Sequence, residues 1–215
     1  MELIFGLVTL IILIFSAILH EIAHGYVAER FGDPTARLAG RLTLNPKNHI
    51  DPLMSILLPL MLLLSGSPVI FGAAKPVPID PFNLKEGRKD IALVALAGPL
   101  TNVVIAVLGS LLIKLLPIFS DLLSPFLSSV LYLLLSNIIT LNLLLAIFNL
   151  LPIPPLDGSK VFALLLPKQL ANAYLSLSSI GFILILFLLM FHTGPFSLGN
   201  IIFNLLTFSE KLLGI

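Results

Sequence analysis

A pair of histidines separated by three residues is the part of this sequence that most clearly indicates chemistry. His20 and His24 enclose Glu21 in a His-Glu-x-x-His motif. Residues four apart lie on one face of a helix, so both imidazoles can bind one Zn²⁺ while the glutamate reaches a metal-bound water. Ionisable side chains are costly in an apolar helix and mark functional sites there by default. The motif therefore predicts one zinc ion per chain, with Glu21 as the base.

The third ligand of this predicted site is best supplied by Asp157. A catalytic zinc needs three protein ligands and an open position for water, and the chain has no cysteine. Asp157 closes the segment 149–158, in which a charge-free stretch meets three prolines. Prolines break helices, and unwound backbone at membrane depth is tolerated only where it lines a cavity or is buried in protein. The alternative is an ordinary helix stop. We interpret His49 as a solvated loop residue, with a contact to the zinc ligands or to the substrate as the alternative. We place His192 on the opposite membrane face.

Two asparagines stand in apolar surroundings within this pattern. Asn102 follows Gly98-Pro99, and Asn149 opens the proline-rich segment. Such an amide can hold a neighbouring helix, or it can donate a hydrogen bond to an oxyanion or to an unwound substrate backbone. The sequence leaves both interpretations open for both residues.

Composition places these residues in a membrane. Of the 215 residues 58% are hydrophobic and 11% are charged, whereas soluble domains carry about 25% charged residues. This balance excludes a water-soluble globular enzyme and a disordered chain. The net charge of +1 gives no argument for nucleic acid. We expect an integral, multi-pass membrane protein in contact with the lipid bilayer.

Apolar runs without charge predict the membrane helices, because about 20 apolar residues cross the hydrocarbon core. The predicted spans are 3–30, 91–113, 128–151 and 170–191, with 196–208 as a weaker fifth that spans with strain or lies at the interface. The apolar run 53–64 is too short to cross and contains Pro59, which favours a re-entrant or interfacial segment. Short alternating runs at 38–44 and 76–79 predict small β-strands or a hairpin.

The expected fold class is an all-α polytopic membrane protein with about four to five transmembrane helices, a re-entrant segment and short strands on the cytoplasmic side. We expect a single membrane-embedded domain over 1–215, with a core at about 3–168 and C-terminal helices at 170–213. Asp157 can reach the zinc if an even number of crossings follows residue 30. That topology also puts these basic residues on one face: Arg30, Arg37, Arg41, Lys47, Lys75, Lys85, Arg88 and Lys89. Basic loops prefer the cytoplasm, so the site should open toward the cytoplasmic side of a plasma or inner membrane.

Together the motifs resemble the site-2 protease family of intramembrane zinc metalloproteases. The His-Glu-x-x-His at 20–24, the Gly-Pro-x-x-Asn at 98–102 and the Asn-x-x-Pro-x-Pro-Pro-x-Asp-Gly at 149–158 follow the order of that family. The resemblance implies zinc ligands and a base as follows: His20, His24 and Asp157 as ligands, Glu21 as the catalytic base, and Asn102 and Asn149 as candidate helpers. It also implies cleavage of peptide bonds within or near transmembrane helices of membrane-protein substrates, that is, regulated intramembrane proteolysis. The chain resembles a compact form of the family without PDZ or CBS domains.

Two other classes remain open. Membrane zinc proteases that trim prenylated CAAX proteins also carry His-Glu-x-x-His, but they take a downstream glutamate as third ligand. Glu29, Glu86 and Glu210 do not stand in such a motif. A non-catalytic metal-binding scaffold or transporter is the other alternative, and the intact Glu21 argues against it. The sequence makes no prediction of oligomeric state.

Overall fold

Three long apolar helices dominate the structure, a computed structural model that describes residues 2–52, 75–119, 122–190 and 197–215 and positions 57, 61 and 64. The segments long and apolar enough to cross a membrane are Ile4–Arg30, Arg88–Phe119 and Pro125–Leu150. A bent helix pair between Lys168 and Leu189 provides a fourth span if it crosses as one unit. The helical part of the predicted fold class is therefore confirmed, and three of the helices are long and apolar enough to cross a membrane. The re-entrant segment predicted at 53–64 lies outside the described residues, apart from the three isolated positions.

Helix α1 covers Glu2–Arg30 and carries the histidine motif. Its 29 residues correspond to about 44 Å, which exceeds the hydrocarbon thickness of about 30 Å. The helix ends where Gly32 adopts a φ of 111°, a left-handed conformation that side chains other than glycine rarely tolerate. Asp33-Pro34 follows and prevents continuation. The helix thus matches the predicted span 3–30.

Helix α2 is a single turn at Thr35–Leu38, and α3 covers Arg88–Leu115. Helix α4 covers Pro125–Leu150 and begins with Pro125 after Ser124, whose hydroxyl accepts a hydrogen bond from Leu127 N. Helix α3 contacts both α1 and α4. Small residues let membrane helices approach closely. The buried small residues of α3 are Ala92, Ala95, Ala97, Gly98, Ala106 and Gly109. This packing makes α3 the centre of the bundle.

The proline-rich segment interrupts the chain between α4 and the short helix α5, which covers Asp157–Leu164. Gly158 lies so close to the end of α4 that a Cβ atom there would be 2.1 Å from the carbonyl oxygen of Leu150. A glycine is therefore required for the chain to fold back at this point. As a result Asp157 stands on the first turn of a helix that starts against the end of α4.

The segment predicted as a span at 170–191 is divided into two helices. Helix α6 covers Lys168–Ser176 and α7 covers Ser178–Met190, with a 56° bend between them. The hydroxyls of Ser176 and Ser178 donate to carbonyls three residues back. Such local hydrogen bonds compete with the helical ladder, which explains the break.

Helix α8 covers Leu198–Leu213 and runs antiparallel to α4. Leu198 packs in one cluster with Leu151, next to the end of α4. At the other end of the helix, Ser110 Oγ on α3 donates to the carbonyl of Leu213 over 3.2 Å. The predicted segment 196–208 is thus a helix, shifted toward the C-terminus.

The predicted strands at 38–44 and 76–79 are not confirmed, since the part of the chain that the structure describes contains no strand. Its short elements before α3 are α2 and the 3₁₀ turns Pro46–Asn48 and Pro81–Asn83. Residues 75–80 form neither a helix nor a ladder. Pro76 and Pro78 have no N–H, which removes donors that a ladder would need.

Candidate metal centre

The two motif histidines lie side by side on the inward face of α1. His20 Nε2 and His24 Nε2 are 3.0 Å apart. Both residues are buried, with exposed fractions of 6% each. The i, i+4 spacing that the sequence predicted therefore brings the imidazoles together.

Asp157 joins this pair from α5. Its Oδ2 lies 3.2 Å from His20 Nε2 and 3.0 Å from His24 Nε2. The three ligand atoms lie within 4.8 Å of one another in a buried group. The corners of a zinc tetrahedron with bonds of about 2.0–2.1 Å are about 3.3 Å apart, close to the separations seen here.

The hydrogen bonds of the two Nδ1 atoms determine whether the Nε2 atoms of the histidines carry a hydrogen or a lone pair. His24 Nδ1 donates to the backbone carbonyl of Val94 over 2.7 Å. His20 Nδ1 lies 2.6 Å from Asn102 Oδ1, an acceptor. With the hydrogens on both Nδ1 atoms, both Nε2 lone pairs point inward at each other and at the Asp157 carboxylate. Three acceptors that converge without a proton between them repel one another, so a bound cation fits this donor set.

Gly98 on α3 lies directly against both imidazoles. A Cβ atom at this position would lie 2.5 Å from His20 Nε2 and 2.5 Å from His24 Nε2. The backbone of α3 thus lies so close to the imidazoles that only glycine, which has no Cβ atom, fits at this position. The Gly98-Pro99 pair is visible in the sequence, but the sequence alone does not indicate this role for Gly98.

The other carboxylate oxygen of Asp157, Oδ1, forms an ion pair. Lys160 Nζ, one turn further along α5, lies 2.9 Å from Asp157 Oδ1. The second oxygen, Oδ2, faces the histidines. The carboxylate is therefore oriented to offer a single oxygen to the centre.

Glu21 contacts the segment 75–80, which precedes α3. Its Oε2 accepts a hydrogen bond from the backbone N–H of Val77 over 2.8 Å. Arg41 holds the same segment by donating to the carbonyls of Lys75 and Pro76, over 2.6 Å and 3.3 Å. The segment is thus fixed by side chains of α1 and of the loop after α2, next to the residue expected to act as base.

A buried carboxylate anchors the far end of this segment. Asp33 accepts hydrogen bonds from Asp80 N over 2.7 Å and from Asn83 Nδ2 over 3.0 Å, in addition to those from Thr35. Burial alone would raise the pKa of Asp33, but these donors outweigh it and hold that pKa below its ordinary value. Asp33 is therefore an ionised clamp between the end of α1 and the segment before α3.

The other residues considered from the sequence, Asn149, His49 and His192, do not join the donor group in the part of the chain that the structure describes. Asn149 donates to the carbonyl of Leu145 in its own helix over 2.9 Å. His49 is 2% exposed and its Nε2 donates to the carbonyl of Thr43, so the expectation of a solvated loop histidine is wrong. His192 lies outside the described residues.

Asn142 is a buried polar residue that belongs to none of the three sequence motifs. It is 0% exposed and accepts a hydrogen bond from Asn102 Nδ2 over 2.8 Å. A signal was available, because Asn142 precedes Asn149 by seven residues and therefore lies near the same face of α4. A single amide in an apolar stretch nevertheless carries little information by itself.

Known proteins are similar to this chain in sequence. The family model described as "Peptidase family M50" matches residues 117–190, which contain Asp157. "Putative zinc metalloprotease YwhC" of Bacillus subtilis (strain 168) is 41% identical over 189 residues, 87% of this chain and 82% of that protein. "Putative zinc metalloprotease Rip2" of Mycobacterium tuberculosis (strain ATCC 25618 / H37Rv) is 35% identical over 178 residues, 80% of this chain and 63% of that protein. No solved structure matches the chain significantly.

The membrane-length helices, the converging donors and these relatives define an integral membrane metalloendopeptidase that uses Zn²⁺. The chain belongs to peptidase family M50, the site-2 protease family. The resemblance drawn from the three motifs is thereby confirmed. The CAAX-type and non-catalytic alternatives are not favoured.

Proposed function

We propose that this protein is an intramembrane endopeptidase that hydrolyses peptide bonds within or near transmembrane helices of other membrane proteins. His20, His24 and Asp157 hold one Zn²⁺, and Glu21 is the catalytic base. The observation that carries the proposal is the buried convergence of both Nε2 atoms and Asp157 Oδ2 within 4.8 Å. Regulated intramembrane proteolysis is the process in which we expect the enzyme to act, with the whole chain 1–215 as one domain.

The position of the donors along α1 supports cleavage inside the bilayer. About eighteen mainly apolar residues precede the histidines in the same helix. Helix α3 brings Gly98 and Asn102 to the same level from the middle of a second membrane-length helix. The donor group is therefore buried against two helices of membrane-spanning length. A substrate that reaches it must be a membrane-embedded segment.

The chemistry divides between the zinc and the chain. When bound, zinc supplies Lewis-acid activation of water and of the scissile carbonyl. Glu21 takes the proton of the attacking water and later delivers it to the leaving amine. The backbone N–H of Val77 keeps the Glu21 carboxylate in place before the reaction. Asn102 and Asn149 stay candidate helpers for the oxyanion or for the substrate backbone.

The substrate has to unwind before it can be cut. Peptide bonds in a transmembrane helix are shielded by their own hydrogen bonds, so residues that weaken a helix near the cut site favour cleavage. Glycine, proline or asparagine in the substrate span would have this effect. The proline-rich turn at 152–155 is the proposed entrance for water.

Substitution of Glu21 tests the proposed chemistry. Glu21→Gln should abolish cleavage of a membrane-helix substrate by the purified protein in liposomes, yet retain zinc, because the amide cannot accept the proton. Glu29→Gln is the matched control two turns further along α1, where the side chain pairs with Arg37. Cleavage by Glu21→Gln at the wild-type rate would contradict the assignment of the base.

Substrate design tests the membrane location. A reporter helix with a central Gly-Pro pair should be cut faster than an all-leucine helix of equal length. The same Gly-Pro sequence in a soluble peptide serves as the control for plain peptidase activity. Equal rates for the soluble peptide and the embedded helix would contradict the proposed substrate class.

We also propose that the site opens toward the cytoplasm. Arg88, at the start of α3, donates to the carbonyls of Ala163 and Leu166 beside the end of α5, which supports a common face for the basic residues and the site. The chain lacks cysteine, so a single Lys85→Cys label is unambiguous. A membrane-impermeant maleimide should label it in inside-out vesicles of the plasma membrane. Labelling in right-side-out vesicles would reverse the orientation.

A further inference from the structure

A row of buried, uncharged side chains connects His20 to the middle of α4. The row starts at Asn102 on α3, whose Oδ1 lies 2.6 Å from His20 Nδ1. Asn102 Nδ2 donates to Asn142 Oδ1 over 2.8 Å, and Asn142 Nδ2 donates to Ser16 Oγ over 2.9 Å. Asn102 and Asn142 are both 0% exposed. The row therefore joins α1, α3 and α4 behind the donor group.

The direction of each hydrogen bond follows from the far end of the row. Asn142 Nδ2 also donates to the backbone carbonyl of Ile138, 2.8 Å away. A carbonyl accepts and cannot donate, so the Asn142 amide turns its nitrogen toward Ile138 and its oxygen toward Asn102. That oxygen requires the nitrogen of Asn102. The oxygen of Asn102 is then left to face His20.

The last hydrogen bond determines the tautomer of His20. Because the Asn102 oxygen is an acceptor, the ring nitrogen beside it, Nδ1, carries the hydrogen. Nε2 then presents a lone pair toward Asp157 and His24. A rotated Asn102 amide would place a donor beside Nδ1 and favour the tautomer with hydrogen on Nε2, which cannot bind a metal.

We propose that Asn142 is a positioning residue for zinc, because it holds the Asn102 amide in the orientation that frees the Nε2 lone pair of His20. Asn142 acts through Asn102 and contacts neither the metal nor the substrate. The inference rests on the proposed role of His20 as a zinc ligand. Ser16 O is a second and more distant acceptor for Asn102 Nδ2, at 3.5 Å. Asn142 is therefore the nearer of the two groups that fix the amide.

Zinc affinity of the purified protein is the first test. Asn142→Leu keeps a similar volume and removes the acceptor, and we expect zinc binding about 10-fold weaker in competition with a chelator, the lower end of outer-sphere effects. Asn142→Ala removes the same acceptor without added apolar volume and carries the same expectation. Asn137→Leu is the control. Asn137 Nδ2 on α4 donates a hydrogen bond to Thr9 Oγ1 on α1 over 2.7 Å, so this variant also removes an amide between α1 and α4. Unchanged affinity in both Asn142 variants would overturn the proposal.

A double substitution separates positioning from packing. Asn102→Asp places acceptor oxygens on both sides of the side chain, so its orientation no longer matters. In that background Asn142→Leu should change zinc affinity by less than about 2-fold, because the two sites are coupled. If Asn142 served packing alone, the full loss would recur, and that result would overturn the proposal.

Histidine NMR reports the tautomer directly in metal-free protein. The chain has four histidines, and His20→Ala identifies the signals of His20 in ¹⁵N-labelled samples. We expect hydrogen on Nδ1 in the wild type and a mixture of tautomers in Asn142→Leu. Unaltered signals would contradict the role of Asn142. By contrast, retention of tight zinc binding by His20→Ala would contradict the proposed site itself, so the two failures are distinguishable.

Discussion

The two parts of the chain that carry the proposed zinc donors are built in opposite ways. His20 and His24 stand on α1, an uninterrupted helix, where the spacing of four residues sets their relative position. Asp157 stands on the first turn of α5, after a proline-rich break in which no repeating geometry sets its position. Its placement depends on contacts such as that between Gly158 and the end of α4. A regular helix thus needs few outside contacts to position a ligand, whereas an irregular segment needs many.

Removal of one zinc donor should weaken zinc binding equally, whether the donor comes from α1 or from α5. His24→Ala and Asp157→Ala each leave two ligands, and we expect zinc affinity to fall on the order of 10³-fold in both, together with loss of cleavage. His49→Ala is the control, because His49 is buried outside the group and bonds Thr43. Zinc content measured by mass spectrometry of purified protein checks this expectation. Full retention of zinc by either donor variant would remove that residue from the site.

Gly98→Ala should damage the metal centre and leave the fold intact. The added Cβ would lie 2.5 Å from both imidazoles, while alanine is a better helix former than glycine. We expect zinc affinity about 10- to 100-fold weaker, with little change in the thermal unfolding of metal-free protein. Gly6→Ala on α1 is the matched control, since nothing lies within 4 Å of its Cβ. Wild-type affinity for Gly98→Ala would show that α3 lies further from the histidines.

Gly158→Ala should damage the fold itself. A Cβ atom there would lie 2.1 Å from a backbone oxygen, and backbone cannot move aside as a flexible side chain can. We expect a loss of about 2–3 kcal/mol in the free energy of unfolding, with zinc affinity reduced as a consequence. Denaturation in detergent measures the loss. A loss smaller than that of Gly98→Ala would reverse the contrast between the regular and irregular parts.

Asp33→Asn should lower stability by weakening the contact between the end of α1 and the segment before α3. The substitution weakens bonds from Asp80 N and Asn83 Nδ2 and should cost about 1–3 kcal/mol of unfolding free energy. Because the folded pKa of Asp33 lies below its unfolded value of about 3.9, the contribution is complete at neutral pH and is lost as pH falls through the folded pKa. The difference in stability between wild type and variant should therefore shrink in acid.

The control for this experiment is Asp80→Asn in the same segment. Asp80 accepts a local hydrogen bond from Phe82 N, which asparagine can also accept. We expect its stability to match that of the wild type at neutral pH. A difference for Asp33→Asn that persists unchanged in acid would contradict the ionised clamp.

Lys160→Gln should have the smallest effect. The ammonium pairs with Asp157 Oδ1 at 2.9 Å but is partly exposed, with 39% of its side chain accessible. Ion pairs of this kind contribute about 0.2–1 kcal/mol, so we expect zinc affinity weaker by about 2- to 5-fold. Lys168→Gln, at the start of α6, is the control. An effect as large as that of Asp157→Ala would mean that the irregular part depends mainly on this pair.

The same contrast explains what the sequence could predict. The histidine pair and the spans at 3–30, 91–113 and 128–151 follow from local periodicity and apolar length, which act over a few residues. The break between α6 and α7 was missed because apolar length alone cannot detect serine hydroxyls that compete with the helical ladder.

The candidate site divides in the same manner. The grouping of Asp157 with the histidines was predicted from a proline-rich motif, since such a motif marks backbone that needs a special environment. Asn142 and Gly98 could not be assigned, because their positions near His20 arise when three distant helices pack together. A single uncharged residue gives no spacing that indicates its partner.

The neutrality of the row behind His20 has a consequence for biosynthesis. Its members Ser16, Asn102 and Asn142 carry no charge, whereas a charged side chain at the centre of a helix costs about 2.5–3.5 kcal/mol during insertion into a bilayer. Helices α1, α3 and α4 can therefore enter the membrane one at a time without that cost at these positions. The proposed metal-binding group forms only when α1 and α5 come together, so an incompletely assembled chain lacks this centre.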